Sequence, residues 1–150
     1  MFTSSFVAYL HYLSIILCTG ALLFERLKLK ESPDRSLAIS MVVADVIYGL
    51  AGIALLVTGI LRVMYFGQGS EFYTHNPIFW IKVSLYIGVG LLSLYPTITY
   101  VLWAIPLSKN KLPEVNYDLV SRLRLIINIE LIGFCIIPLF ATLMSRGIGL

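Results

Sequence analysis

Four apolar runs divide the chain, at about Thr3 to Phe24, Leu37 to Phe66, Pro77 to Trp103 and Leu119 to Met144. About 20 such residues cross a hydrocarbon core of roughly 30 Å, and each run meets that length. In lipid no water is present to bond the backbone. A run of this kind therefore spans as a helix, which satisfies its own N–H and C=O groups. The predicted fold class is all-α: an integral membrane four-helix bundle. One transmembrane domain covers residues 1–150, with helices over about 3–25, 37–66, 77–104 and 118–144. Composition points the same way, because 13% of residues are charged against about 25% in soluble domains. No linker is long enough to announce a second domain, and no internal repeat is visible.

The loops orient the bundle. Arg26, Lys28, Lys30 and Arg35 flank the first connection, and Lys109, Lys111, Arg122 and Arg124 flank the third. The other side carries Arg62, Lys82 and Arg146. The positive-inside rule then places the charged loops in the cytoplasm and both termini on the outer side. Tyr73 with Trp80, and Trp103 with Tyr117, suit the two interfacial aromatic belts. The N-terminal MFTSSF lacks the positive stretch of a cleavable signal peptide. The net charge of +3 sits beside apolar runs, so it reads as a topology signal rather than a nucleic-acid surface. The expected setting is a membrane that the chain crosses several times. The expected partners are the lipid bilayer and either another membrane-protein subunit or a second copy. Pro96 and Pro138 fall inside runs, where each is expected to kink its helix.

Polar residues inside these runs are the functional candidates, because ionisable groups in a bilayer are costly. Asp45, Tyr48, Gly52, Leu55, Gly59 and Arg62 recur at spacings of three and four, so they share one helix face. His11, Ser14, Cys18, Ala21 and Glu25 form a second such stripe. At about 1.5 Å per residue, Arg62 and Lys82 both lie about 13 Å to the outer side of the centre, and His11 about 6 Å. Two readings of Arg62 and Lys82 stand: snorkelling to the headgroups, or an anion site for a lipid phosphate or a cofactor carboxylate. His11 is either one hydrogen-bonded residue among packed helices or an axial ligand to haem iron. On the second reading His11 is the metal ligand of haem b, and Arg62 and Lys82 complete the cofactor-binding set. His75 lies in a loop, so a second axial histidine is not supplied by a helix.

Toward the cytoplasm, Glu25 and Asp45 share a level with Arg124. Ion pairs, Asp45 with Arg124 above all, would clamp helices one, two and four. A proton entry point is the alternative. Glu130 lies near the centre, and the sequence leaves open whether it faces the bundle or a partner. Glu25, Asp45, Tyr48, Arg124 and Glu130 make up the expected buried polar network. Cys18 and Cys135 sit in apolar runs, without metal-ligand spacing, and are expected to pack as small core residues. No Ser-His-Asp set, P-loop, glycine-rich dinucleotide turn or multi-histidine motif is present, and no catalytic residue is assigned.

The runs YLHYLSIILCTGALLFE, ADVIYGLAGIALLVTGILRVMYFGQG, FYTHNPIFWIKVSLYIGVGLLSLYPT and RLIINIELIG…PLFATLMSRGIG together resemble the bacterial membrane-protein family of domain of unknown function 2214. That resemblance implies a four-helix protein of the bacterial inner (cytoplasmic) membrane, multi-pass, and no activity. A more distant likeness, to HemJ-type protoporphyrinogen oxidases, rests on His11 followed by Gly20 and on Trp80-Ile81-Lys82. It implies haem or porphyrin association at His11, without the oxidase reaction, since that group's fuller histidine set is missing. Three functions follow as expectations: a haem- or quinone-associated redox protein, a non-catalytic accessory subunit of a larger complex, or a small transporter or proton conductor through Asp45, Glu130 and the central tyrosines.

Overall fold

The computed structural model describes residues 2–149. Helix α1 covers Phe2–Lys28 and α2 covers Arg35–Leu61, continued by a π-helical turn over Arg62–Phe66. A short helix α3, Ser70–Thr74, precedes α4, Pro77–Ser108, and α5, Tyr117–Ser145. The four expected spans are α1, α2 with its π turn, α4 and α5, and all four are long and apolar enough to cross a bilayer. Helix α3 lies where the sequence suggested only a loop.

Local chemistry sets the helix ends. The Asn76 side chain accepts from the Ile78 N–H, and Pro77 opens α4, where its missing N–H costs nothing. Asn116 accepts from the Leu119 N–H and starts α5 in the same way. Arg26 and Lys28 close α1, where cations suit the negative end of the helix dipole. Helices α4 and α5 both continue through their prolines, Pro96 and Pro106 in one and Pro138 in the other.

Among the described residues the long helices form a ring in chain order. Helix α1 packs on α2, α2 on α4, α4 on α5, and α5 back on α1. The most extensive pairings are α1 with α2 and α4 with α5. Gly133 shows how close the second pair comes, since a Cβ there would meet Val89 Cγ2 at 2.5 Å. Small residues at crossing points serve this purpose in membrane bundles, where dispersion contacts replace the hydrophobic effect. The core runs through Cys18, Leu22, Met41, Tyr100, Leu123 and Ile127. The outside is equally apolar: Leu50, Leu91 and Leu125 are each more than 60% exposed. A soluble domain does not present apolar residues around its whole circumference, whereas a lipid-facing bundle does.

With four crossings both termini lie at one end, here called the terminal end. The connections around Pro33 and Pro113 lie at the other, the loop end. At the terminal end Asn76 Nδ2 donates to the Ile148 carbonyl at 3.1 Å and ties the C-terminal tail to the start of α4.

Candidate functional site

Between the α1–α2 pair and the α4–α5 pair, in the terminal half, lies a half-open apolar cleft of about 380 Å³. Every spanning helix contributes to its wall. Helix α1 supplies His11, α2 supplies Leu55 and Gly59, α4 supplies Lys82 and Tyr86, and α5 supplies Phe134 and Pro138. Gly59 matters for its missing side chain: a Cβ there would stand 3.4 Å from His11 Cε1, so the imidazole lies directly against α2.

The hydrogen bonds fix the role of each imidazole nitrogen. Thr58 Oγ1 lies 2.9 Å from His11 Nδ1. The single Thr58 hydroxyl proton goes to the Ala54 carbonyl at 2.6 Å, with the Leu55 carbonyl at 3.2 Å. Thr58 therefore accepts from His11, and Nδ1 carries the proton. In the neutral ring Nε2 is then the acceptor nitrogen. One imidazole nitrogen is thus held by a neighbouring hydroxyl, which fixes the orientation of the ring.

Lys82 shares the cleft with His11, and its Nζ lies 5.4 Å from the centre of the Phe79 ring. Arg62 departs from the expected cofactor set. Its guanidinium lies 5.3 Å from the centre of the Tyr12 ring, and Arg62 does not line the cleft. It remains close enough to act electrostatically on both His11 and Lys82. His75 is exposed on the connection after α3, with Nδ1 2.8 Å from the Glu71 carbonyl, and does not reach the cleft.

Deeper in the bundle three carboxyl groups converge from three helices: Glu25 on α1, Asp45 on α2 and Glu130 on α5, all buried. Tyr48 donates to Glu130 Oε1 at 3.0 Å, and Thr97 donates to Asp45 Oδ1 at 2.9 Å. Glu130 thus faces the bundle interior, which settles the question the sequence left open. Phe134 packs edge-on against Tyr48 and also lines the cleft, so one aromatic ring separates the acids from the cleft.

The expected pairing of Asp45 with Arg124 is not the one the structure makes. Arg124 is exposed, and its Nη2 donates to the Leu29 carbonyl at 3.0 Å, just past the end of α1. Arg35 similarly donates to Leu107, in the last turn of α4, at 3.4 Å. Arg124 and Arg35 thus both reach carbonyls at or near helix C-termini, where acceptors outnumber helical donors. Arg124 therefore leaves the expected network, and Glu25, Asp45, Tyr48 and Glu130 stay in it.

A family described as predicted membrane protein (DUF2214) matches residues 3–149. The chain belongs to that family. No curated protein and no solved structure matches it. The DUF2214 assignment covers all four spans and establishes a multi-pass membrane protein in contact with the lipid bilayer. The likeness to HemJ-type oxidases rests on the sequence residues alone. Of these, His11 and Lys82 line the cleft, while Gly20 is exposed with open space beside it.

Four side chains of this DUF2214 protein lie beside the cleft or the buried acids without having been named from the sequence: Thr58, Tyr86, Thr97 and Tyr100. Thr58 carried a readable signal, since it lies one residue from Gly59 at the level of His11. Thr97 and Tyr100 carried none, because which face of α4 turns inward depends on how the two helix pairs dock.

Proposed function

We propose that this protein binds a redox-active, lipid-soluble ring of the quinone/quinol class in the terminal-half cleft. The observation that carries the reading is the pair of complementary hydrogen-bonding groups lining one apolar cleft. His11 Nε2 offers an acceptor and Lys82 offers a cationic donor. A quinone carbonyl would accept from Lys82, and a quinol hydroxyl would donate to His11. The volume falls within the usual range of about 300–1,000 Å³ for small-molecule sites. The half-open wall suits a ligand that arrives from the bilayer with an apolar tail. Haem b would use the same nitrogen. Its two carboxylates would find only Lys82 within the cleft, because Arg62 is engaged on Tyr12. The setting consistent with this reading is a bacterial inner membrane with the cleft toward the outer face, since the loop end carries the surplus of Lys and Arg.

The test is equilibrium binding of a short-tailed benzoquinone to the full-length protein in lipid nanodiscs. Saturable binding is expected, weakened about tenfold or more by His11→Phe and by Lys82→Met, since loss of a hydrogen-bonded group from a buried site costs on the order of 1.4 kcal/mol or more. An absorption spectrum of the same preparation, showing a haem band that His11→Phe abolishes, would transfer the site to haem. Neither saturable quinone binding nor a chromophore would overturn the reading.

A further inference from the structure

The buried acids need an account that the cleft does not provide. Glu25 is 1% exposed, Asp45 5% and Glu130 0%, in surroundings of Cys18, Leu22, Met41 and Leu123. The three lie within electrostatic reach of one another. Each facing element contributes further polar groups. Helix α1 adds Cys18, α2 adds Tyr48, and α4 adds Thr97 and Tyr100. Arg124, the cation of α5 nearest this level, is turned to the Leu29 carbonyl.

Three ionised carboxylates in this position would be untenable. Each loses its hydration, each repels the others, and none gains a cation. Neutral acids remove that cost, but a carboxylic acid brings an O–H that needs an acceptor. The structure contains open places for this exchange. Among the described residues, Glu25 Oε1, Glu130 Oε2 and the Tyr100 hydroxyl are buried without a hydrogen-bond partner. Glu25 and Tyr100 are each at most 1% exposed and interact with each other in the core. Buried polar atoms without partners are uncommon and point to something further at the site, a proton or a bridging water. A metal ion does not suit the arrangement, because no group of three or more His, Cys, Asp or Glu among the described residues is placed to hold one.

We propose that Glu25, Asp45 and Glu130, together with the hydroxyls of Tyr48 and Tyr100, form an exchangeable proton-binding site inside the bundle. At neutral pH the acids hold protons, and the two tyrosine hydroxyls pass them between carboxyl groups on different helices. A hydroxyl can do this because it accepts one proton while donating another. Loss of a proton from Glu130 leaves Tyr48 donating to the carboxylate, which holds the charge until the proton returns. The site is separate from the cleft, and its proposal does not depend on what the cleft binds.

Infrared spectroscopy of the full-length protein in lipid nanodiscs at neutral pH tests this directly. The remaining acids, Glu31, Asp34, Glu71, Glu114 and Asp118, are all exposed to solvent, unlike the three buried carboxyl groups. A protonated-carboxyl stretching band is therefore expected from the buried group alone. It should shift on transfer to deuterium oxide. Glu130→Gln, Glu25→Gln and Asp45→Asn should each remove part of it, and Tyr100→Phe should displace it without removing it. Absence of the band in the wild-type protein would overturn the proposal even if no variant folds. A band that ignores deuterium oxide would reduce the acids to locked structural groups, and a band unchanged in all three carboxyl variants would place the protons elsewhere. Either result also overturns the proposal.

Discussion

At the residue scale, the two polar levels of the bundle rest on different single hydrogen bonds. At the cleft, Thr58 fixes the tautomer of His11 by accepting from Nδ1. Thr58→Val keeps the shape and removes that acceptor. Affinity for a short-tailed benzoquinone should fall several-fold, because a neutral hydrogen bond contributes about 0.5–1.5 kcal/mol, while far-ultraviolet circular dichroism stays unchanged. An unaltered affinity would mean that Thr58 does not set the imidazole. Among the acids, Tyr48→Phe strips Glu130 of its donor. A buried acceptor left unsatisfied costs about 1–3 kcal/mol, so the midpoint of thermal unfolding in detergent should drop by several degrees. Asp45 and Arg124 should behave as strangers. In a cycle of Asp45→Asn with Arg124→Gln the effects should add within about 0.5 kcal/mol, since Asp45 bonds Thr97 and Arg124 bonds the Leu29 carbonyl. A coupling well above that would restore the ion pair that the sequence suggested.

At the scale of elements, the helices meet where side chains are small. Gly133 of α5 leaves no space for a Cβ against Val89 of α4. Gly133→Leu should force the pair apart and destabilise the protein by roughly 1–3 kcal/mol, the usual cost of overpacking, read as a lower unfolding midpoint. Unchanged stability would show that α4 and α5 can slide to accommodate the side chain. The turn after α2 is another tight place. Gly67 follows the π-helical turn with the Tyr73 hydroxyl and the Arg62 carbonyl where a Cβ would stand. This turn carries Arg62 to the Tyr12 ring on α1 rather than into the cleft. A π turn changes the rotation per residue, so a regular three-four stripe does not give the final direction of Arg62.

At the scale of the whole molecule, the ring of four spans places both termini at one end, and the positive-inside rule predicts that this end lies outside. A cysteine introduced at Ser70 should label with an impermeant reagent from the outer face of intact cells, and one at Ser32 should not. The reverse pattern would invert the orientation. Cys135 is exposed toward lipid and is best replaced before the experiment. Most of this architecture was legible from the amino acids. The spans over about 37–66 and 118–144 correspond closely to α2 with its π turn and to α5, because a bilayer forces any apolar run of that length into a helix. The inward faces were legible too. Ser14, Cys18, Ala21 and Glu25 on α1, and Asp45, Tyr48 and Leu55 on α2, are all buried, since a helix repeats its faces at a fixed period.

What the sequence by itself determined was therefore the set of helices, their inward stripes and the residues worth watching: His11 and Lys82 at one level, Glu25, Asp45 and Glu130 at the other. Only the tertiary structure decided which groups meet. Periodicity fixes the faces of one helix, but it carries no information on how neighbouring helices rotate and slide against each other. Depth put Asp45 beside Arg124, whereas docking of α4 brought Thr97 to Asp45 and left the arginine for a helix-end carbonyl. The same docking opened the cleft beside His11, set Tyr48 on Glu130, and left Glu25 facing Tyr100. Each of these contacts spans dozens of residues in sequence and is set by packing between helix pairs, a property of shape in three dimensions rather than of spacing along one chain.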